Sequence, residues 1–130
     1  MNDETKILNT NGLERITISL DSLKRSNFRS RFTLGAKDID YIREKGMNTI
    51  RNHAIDFITD RIAPRNPKND GRQTPIKNHP VFIAQHATAT CCRRCMQKWH
   101  KIPKGKALND TEIKFIVDLI IEWLNRQMEQ

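Results

Sequence analysis

No stretch of this 130-residue chain approaches the roughly 18 uninterrupted apolar residues that a membrane span needs, so no spanning helix and no membrane partner are expected. Residues Met1 to Thr10 also lack the apolar segment of a secretory signal, which makes the cytoplasm the expected location. The sequence has no glycine-rich phosphate loop, no dinucleotide fingerprint, no two-histidine protease helix and no serine elbow, so the common enzyme motifs give no lead. It has only three cysteines, which cannot all pair within one chain, and a reducing compartment argues against disulfides in any case. Metal binding, catalysis or plain burial remain for them. There is no internal repeat and no low-complexity tract.

What is present fits one domain with a single core: the apolar share is 37%, with two Trp and five Phe spread along the chain. The formal charge of +8 is unevenly placed. From Arg61 to Lys106 eleven basic residues face one acid, Asp70, which leaves the remainder of the chain mildly acidic. A single-signed segment of this kind is the footprint of a polyanion partner, because clustered cations gain by displacing counterions condensed on phosphates. A solvated basic loop is the plainer reading.

Along the chain, Arg15-Ile16-Thr17-Ile18-Ser19-Leu20 alternates apolar and polar residues, which predicts a short half-buried strand, hairpin or extended arm. Residues 1–27 are therefore set apart as a partly flexible N-terminal arm, and 28–130 as a single helical domain. Ser22 to Arg31 reads as a connection anchored by Phe28 and Phe32. Asp38 is expected to cap a short helix ending at Gly46, and a second helix runs from about Asn48 to Ile62, closed by Pro64. Pro64 to Asn78 is a long loop with a turn at Asn69-Asp70-Gly71, long enough to serve as a binding loop or lid. Short helices follow from Pro80 to about Ala87 and over Cys91 to His100. The last helix is signalled by the capping box Asn109/Glu112 and by Ile113, Ile116, Val117, Ile120 and Leu124 at helical spacing. A second row, Phe115, Leu119 and Trp123, widens its apolar face enough to suit both the core and a second copy of the chain, hence a homodimer.

The chemistry concentrates in one window. Of the three Cys and four His, six (His79, His86, Cys91, Cys92, Cys95 and His100) lie within 22 consecutive positions. Cys92-Arg93-Arg94-Cys95 is a two-residue-spaced thiol pair, which lets both sulfurs reach one ion, and His86 and His100 flank it closely enough to fold back toward it. Thiolates and imidazoles suit zinc, while the carboxylates that would favour magnesium or calcium are almost missing here. An iron–sulfur cluster is the lesser option. Arg93, Arg94 and Lys98 are expected to lower the thiol pKa values and offset the charge of a multi-thiolate centre. The competing readings are buried cysteines with satisfied histidines, or a nucleophilic thiol with His86 or His100 as its base. His53, on the apolar side of the second helix, is an outside candidate for a ligand or a general base. Asp56 and Asp60 read as a solvated helix face. Lys101-Ile102-Pro103-Lys104-Gly105-Lys106 is either a phosphate-contacting basic turn or an ordinary interhelical loop.

The runs His79-Pro80-Val81-Phe82-Ile83-Ala84-Gln85-His86-Ala87-Thr88-Ala89-Thr90-Cys91-Cys92-Arg93, then Cys95, then Lys98-Trp99-His100-Lys101-Ile102-Pro103-Lys104-Gly105 resemble the signature of an uncharacterised bacterial and phage family, domain of unknown function number 4186. Glu44-Lys45-Gly46-Met47 and Asn69-Asp70-Gly71-Arg72-Gln73-Thr74-Pro75 fit the same pattern, and the resemblance spans about residues 28 to 128. It implies no activity and no catalytic residues.

The resulting expectation is a mainly α, single-domain fold with a long loop and a Cys/His metal-binding segment. Its candidate metal ligands are His79, His86, Cys91, Cys92, Cys95 and His100. Its candidate nucleic-acid contacts are Arg72, Lys77, Arg93, Arg94, Lys98, Lys101, Lys104 and Lys106. The expected function is a zinc-supported module that binds DNA or RNA, with a metal- or thiol-dependent nuclease or hydrolase acting on a phosphorylated substrate as the alternative.

Overall fold

A computed structural model describes residues 3–69 and 71–129 of the chain, with side chains described for 12–69 and 71–129. Among the described residues there are six α-helices and no strand: α1 (Asp3–Lys24), α2 (Ala36–Lys45), α3 (Met47–Phe57), α4 (Pro80–Ala87), α5 (Arg93–His100) and α6 (Asp110–Met128). None is long and apolar enough to cross a membrane.

Helix α6 is the axis of the fold. Its N-terminus carries the reciprocal cap expected from sequence: Glu112 N–H donates to Asn109 Oδ1 at 2.8 Å, and Asn109 N–H to Glu112 Oε1 at 3.0 Å. Ile116, Val117, Leu119, Ile120, Ile121 and Leu124 are buried along it, and α1, α3 and α4 pack around it. The row carrying Phe115 and Trp123 lies under α1, where the Arg15 guanidinium sits 3.9 Å from the centre of the Phe115 ring.

The strand expected over Arg15 to Leu20 is instead part of α1. Alternation would put Ile16, Ile18 and Leu20 on one face, yet Ile18 is 67% exposed. The buried side chains are Leu20 and Leu23, which with half-buried Ile16 follow the i, i+4, i+7 spacing of a helix. Helix α2 begins at Ala36, earlier than a cap at Asp38 would place it. The Asp38 carboxylate serves as the third residue of the helix and accepts the Gly35 N–H at 3.0 Å. Gly46 ends α2 at φ +83°, where any side chain would be strained, and its N–H closes on Ile42 O at 2.8 Å. The second predicted helix stops being α-helical at Phe57 and continues as one π turn to Ile62, with Ala63 N–H bonding Ile58 O at 2.8 Å. That wider turn keeps Ile58 and Ile62 both in the core. The predicted turn at 69–71 includes Asp70, which lies outside the described residues.

Every residue from Pro80 to Arg93 is buried, so α4, mostly apolar but carrying Gln85 and His86, is enclosed on all sides. Arg93 ends this run, and its position overturns its expected role as a surface cation. The side chain is 2% exposed, and its guanidinium donates to four carbonyls: Ile62 (3.3 Å), Pro64 (3.2 Å), Pro103 (2.8 Å) and Lys106 (2.7 Å). A planar fork of N–H groups is suited to this, and the result is a staple joining the segment after α3 to the segment before α6. Replacing Arg93 with Met should leave these inward-facing carbonyls short of donors and destabilise the fold by on the order of 3 kcal/mol in urea unfolding. A loss under about 1 kcal/mol would contradict the staple.

Candidate metal centre

Between α4 and α5 the chain doubles back in five residues. Ala89 adopts φ +59°, and around it Thr90 N–H bonds Gln85 O at 2.8 Å while the Thr88 hydroxyl bonds Ala84 O at 2.8 Å. The left-handed conformation is unusual for alanine and carries strain of about 1 kcal/mol. Its effect is to bring Cys91 and Cys92 out of α4 facing the start of α5. Cys92 occupies the N-cap of α5 and Cys95 lies one turn on, so their sulfurs share a side, 3.4 Å apart.

The Sγ atoms of Cys91, Cys92 and Cys95 all lie within 4.8 Å of one another. Sulfurs bonded to one zinc ion at about 2.3 Å in a tetrahedron stand roughly 3.8 Å apart, so this spacing needs little adjustment to close on an ion. Cys91 and Cys92 are buried and Cys95 is half-buried.

A residue that sequence reasoning missed completes the site. Arg29, in the short 3₁₀ turn Arg29–Arg31, is 8% exposed and reaches the sulfurs directly. Its Nη2 lies 3.1 Å from Cys95 Sγ and its Nη1 3.7 Å from Cys91 Sγ, while Nη1 also donates to His86 O at 2.7 Å. Burial works against its charge, but the hydrogen bonds to Cys95 and Cys91 outweigh that and raise its pKa. On Cys91 the balance is upward: proton sharing with Cys92 raises its pKa, Cys95 opposes this, burial adds to it, and Arg29 opposes again. The cation that faces the thiols is therefore Arg29. Arg93, expected in that role, points away to its carbonyls, and Arg94 and Lys98 are exposed.

Among the described residues the structure gathers the three thiols and leaves the three candidate imidazoles outside that group. His86 Nε2 lies 3.0 Å from Pro75 O and 3.2 Å from Thr74 O, so that nitrogen carries the proton, and the ring stacks on Phe32. His100 Nε2 bonds Thr88 O at 2.7 Å and its ring meets Phe115 edge-on. His79 caps α4, accepting the Val81 N–H at Nδ1 (3.0 Å), and its Nε2 lies 3.0 Å from His53 Nδ1. Since Nδ1 is an acceptor, the neutral His79 ring donates through Nε2 to His53. The far end of the long loop is fixed on this same segment: Thr74 donates its hydroxyl to Cys91 O at 2.8 Å, and Gln85 Nε2 reaches Thr74 Oγ1 and Thr90 O.

The family model described as domain of unknown function (DUF4186) matches residues 17–125, a span that begins inside α1 and takes in Arg29, the thiol group and Arg93. No solved structure matches the chain.

The His79 arrangement predicts a pH dependence of stability. Burial, and then the neighbouring His53, push the His79 pKa down to about 4 from 6.5. The unfolded chain therefore binds a proton below about 6.5 that the folded chain refuses until about pH 4. Stability should be complete above pH 6.5 and fall toward pH 4, by on the order of 2 kcal/mol from this residue after allowance for its partial exposure. His79→Asn keeps an acceptor for Val81 N–H and removes the proton, so its unfolding free energy should decline less over that range. An unchanged decline would show that His79 does not carry it.

Proposed function

We propose, for a chain that belongs to this family of unknown function and takes no activity from it, that Cys91, Cys92 and Cys95 hold a zinc ion. The resulting zinc-stabilised module binds nucleic acid through its 61–106 surface. The observation that carries the metal is three sulfurs within 4.8 Å of one another with a guanidinium on two of them. Three thiolates with a dication leave one negative charge, which Arg29 cancels, so the package can be buried without a net charge. Donation of N–H groups to metal-bound sulfur also orients the ligands and tunes their basicity. When bound, the ion would tie the Arg29–Arg31 turn, the end of the long loop and the α4–α5 junction together, stabilising short elements that draw little from apolar burial.

The support for a polyanion partner is how the Arg93 staple arranges the basic segments. By joining the carbonyls of Ile62 and Pro64 to those of Pro103 and Lys106, it sets Arg65 beside Lys104 and Gly105 in one groove. A second groove, lined by Arg61, Lys68 and Arg72 together with Asp60, shares Asn66 with the first. Arg72, Lys77, Arg94, Lys98, Lys101, Lys104 and Lys106 are all exposed. A trough of exposed cations on irregular backbone suits a sugar-phosphate chain.

A second reading is favoured by the ligand count. Three protein ligands and one further position is the pattern of catalytic zinc, which would make the protein a metal-dependent hydrolase or nuclease acting on phosphorylated substrates.

Metal analysis of the purified chain should find one equivalent of zinc, lost in Cys92→Ser and Cys95→Ser and kept in His79→Asn and His100→Gln. Arg29→Gln should weaken zinc binding roughly 10- to 100-fold. Iron in place of zinc would move the assignment to a cluster, and no stoichiometric metal would overturn it. For the partner, titration with single- and double-stranded oligonucleotides should show binding that weakens on the order of 100-fold between ~50 and ~200 mM salt if about four phosphates are neutralised. No binding even at the lower salt would end the nucleic-acid reading.

A further inference from the structure

A cleft of about 210 Å³ opens between α1, the Arg29–Arg31 turn and α6 and shares no lining residue with the basic trough. Its floor is apolar, formed by Leu20 and Leu23 of α1 and Ala87 at the end of α4, all at most 3% exposed. Two aromatic side chains, Phe32 and Trp123, also line it. Three cations, Lys24, Arg29 and Arg126, stand around it, and among the described residues that line it none is acidic.

Among the described residues, the donors there are not fully used. A guanidinium has five N–H bonds, and the contacts of Arg29 to His86 O, Cys91 and Cys95 take three, leaving the Nε–H and one Nη2–H. Arg126 gives its Nε–H to Glu122 at 3.1 Å and retains both Nη groups. Gln127 accepts the Leu34 N–H through Oε1, which leaves its amide N–H₂ as a donor. An apolar floor, aromatic walls and a ring of N–H donors, of which Arg126 is paired with a carboxylate, Glu122, describe a complement to a small flat molecule bearing negative charge. The volume lies below that of drug-sized pockets and suits a single ring with one anionic group.

We propose that this cleft is a binding site for a small aromatic anion, held by Lys24, Arg29 and Arg126 and packed against Trp123 and Phe32. This site shares no residue with the nucleic-acid surface and borders the thiol group through Arg29. Because Arg29 faces the cleft and the thiols together, the occupant would share its guanidinium with Cys91 and Cys95.

The test is a ¹H–¹⁵N titration of the full chain with phenyl phosphate, with phenol as its neutral counterpart and inorganic phosphate as the anion without a ring. The Trp123 indole N–H and the Arg29 Nε–H should shift saturably with phenyl phosphate, and binding of either partial probe should be at least about tenfold weaker. The double variant Lys24→Gln/Arg126→Gln, altered only at side chains that are not fully buried, should weaken phenyl phosphate at least about tenfold. Arg65→Gln/Lys104→Gln, in the trough, should leave it unchanged, which separates this site from the nucleic-acid surface. Absence of saturable shifts up to ~10 mM, equal binding of phenol, or insensitivity to Lys24→Gln/Arg126→Gln would each overturn the proposal.

Discussion

Three sulfurs crowded into a buried turn must share protons or face positive charge, and the rest of the site follows from how that constraint is met. Thiolates this close repel one another and lose hydration on burial, so they remain together only as shared-proton thiols or around cations. Arg29 is the part of the answer visible in the fold. It approaches from the turn after α1, more than sixty residues earlier in the chain, and bonds two of the sulfurs and the carbonyl of His86. The three sulfurs could hold a metal ion, and under the proposal above a dication there would complete the neutralisation of a group that lies against a helix buried on every side.

Two buried arginines thus organise the molecule in different ways. Arg29 uses its fork on soft acceptors and couples the N-terminal helix to the thiols. Arg93, next in sequence to Cys92, turns in another direction and spends its fork on four backbone carbonyls. The first serves the chemistry of the centre, while the second holds two basic segments side by side. Threonine and glutamine finish the arrangement: Gln85, Thr74, Thr88 and Thr90 bond one another and the backbone around the strained Ala89. That accounts for a motif so rich in small polar residues being buried, since each hydroxyl has a partner inside.

Much of the helical framework could be read from the chain because it rests on local rules. The Asn109/Glu112 cap, the Gly46 stop, the proline opening α4 and the apolar spacing of α6 each act within a turn or two of helix. The thiol group was legible for the same reason, as two-residue spacing is a local signal. What escaped was non-local. Ile16, Ile18 and Leu20 fit both a strand and a helix until the packing of α1 on α6 chose between them. Arg29 sits in a Ser/Arg-rich stretch that looks like a linker, and nothing in its neighbourhood points to cysteines sixty residues on. Sequence spacing put the histidines within reach of the thiols, and the fold gathers only the three sulfurs closely, with His79, His86 and His100 each hydrogen-bonded at a ring nitrogen to other groups. Arg93 looked like a surface cation because composition reports charge and not direction.

The central claim is that three cysteine sulfurs surround one metal ion. X-ray absorption at the zinc edge of the purified protein addresses it directly, since it counts scatterers by element and distance. The account predicts three sulfur neighbours at about 2.3 Å with one lighter atom closer in. A shell dominated by nitrogen and oxygen, with one sulfur or none, would contradict it.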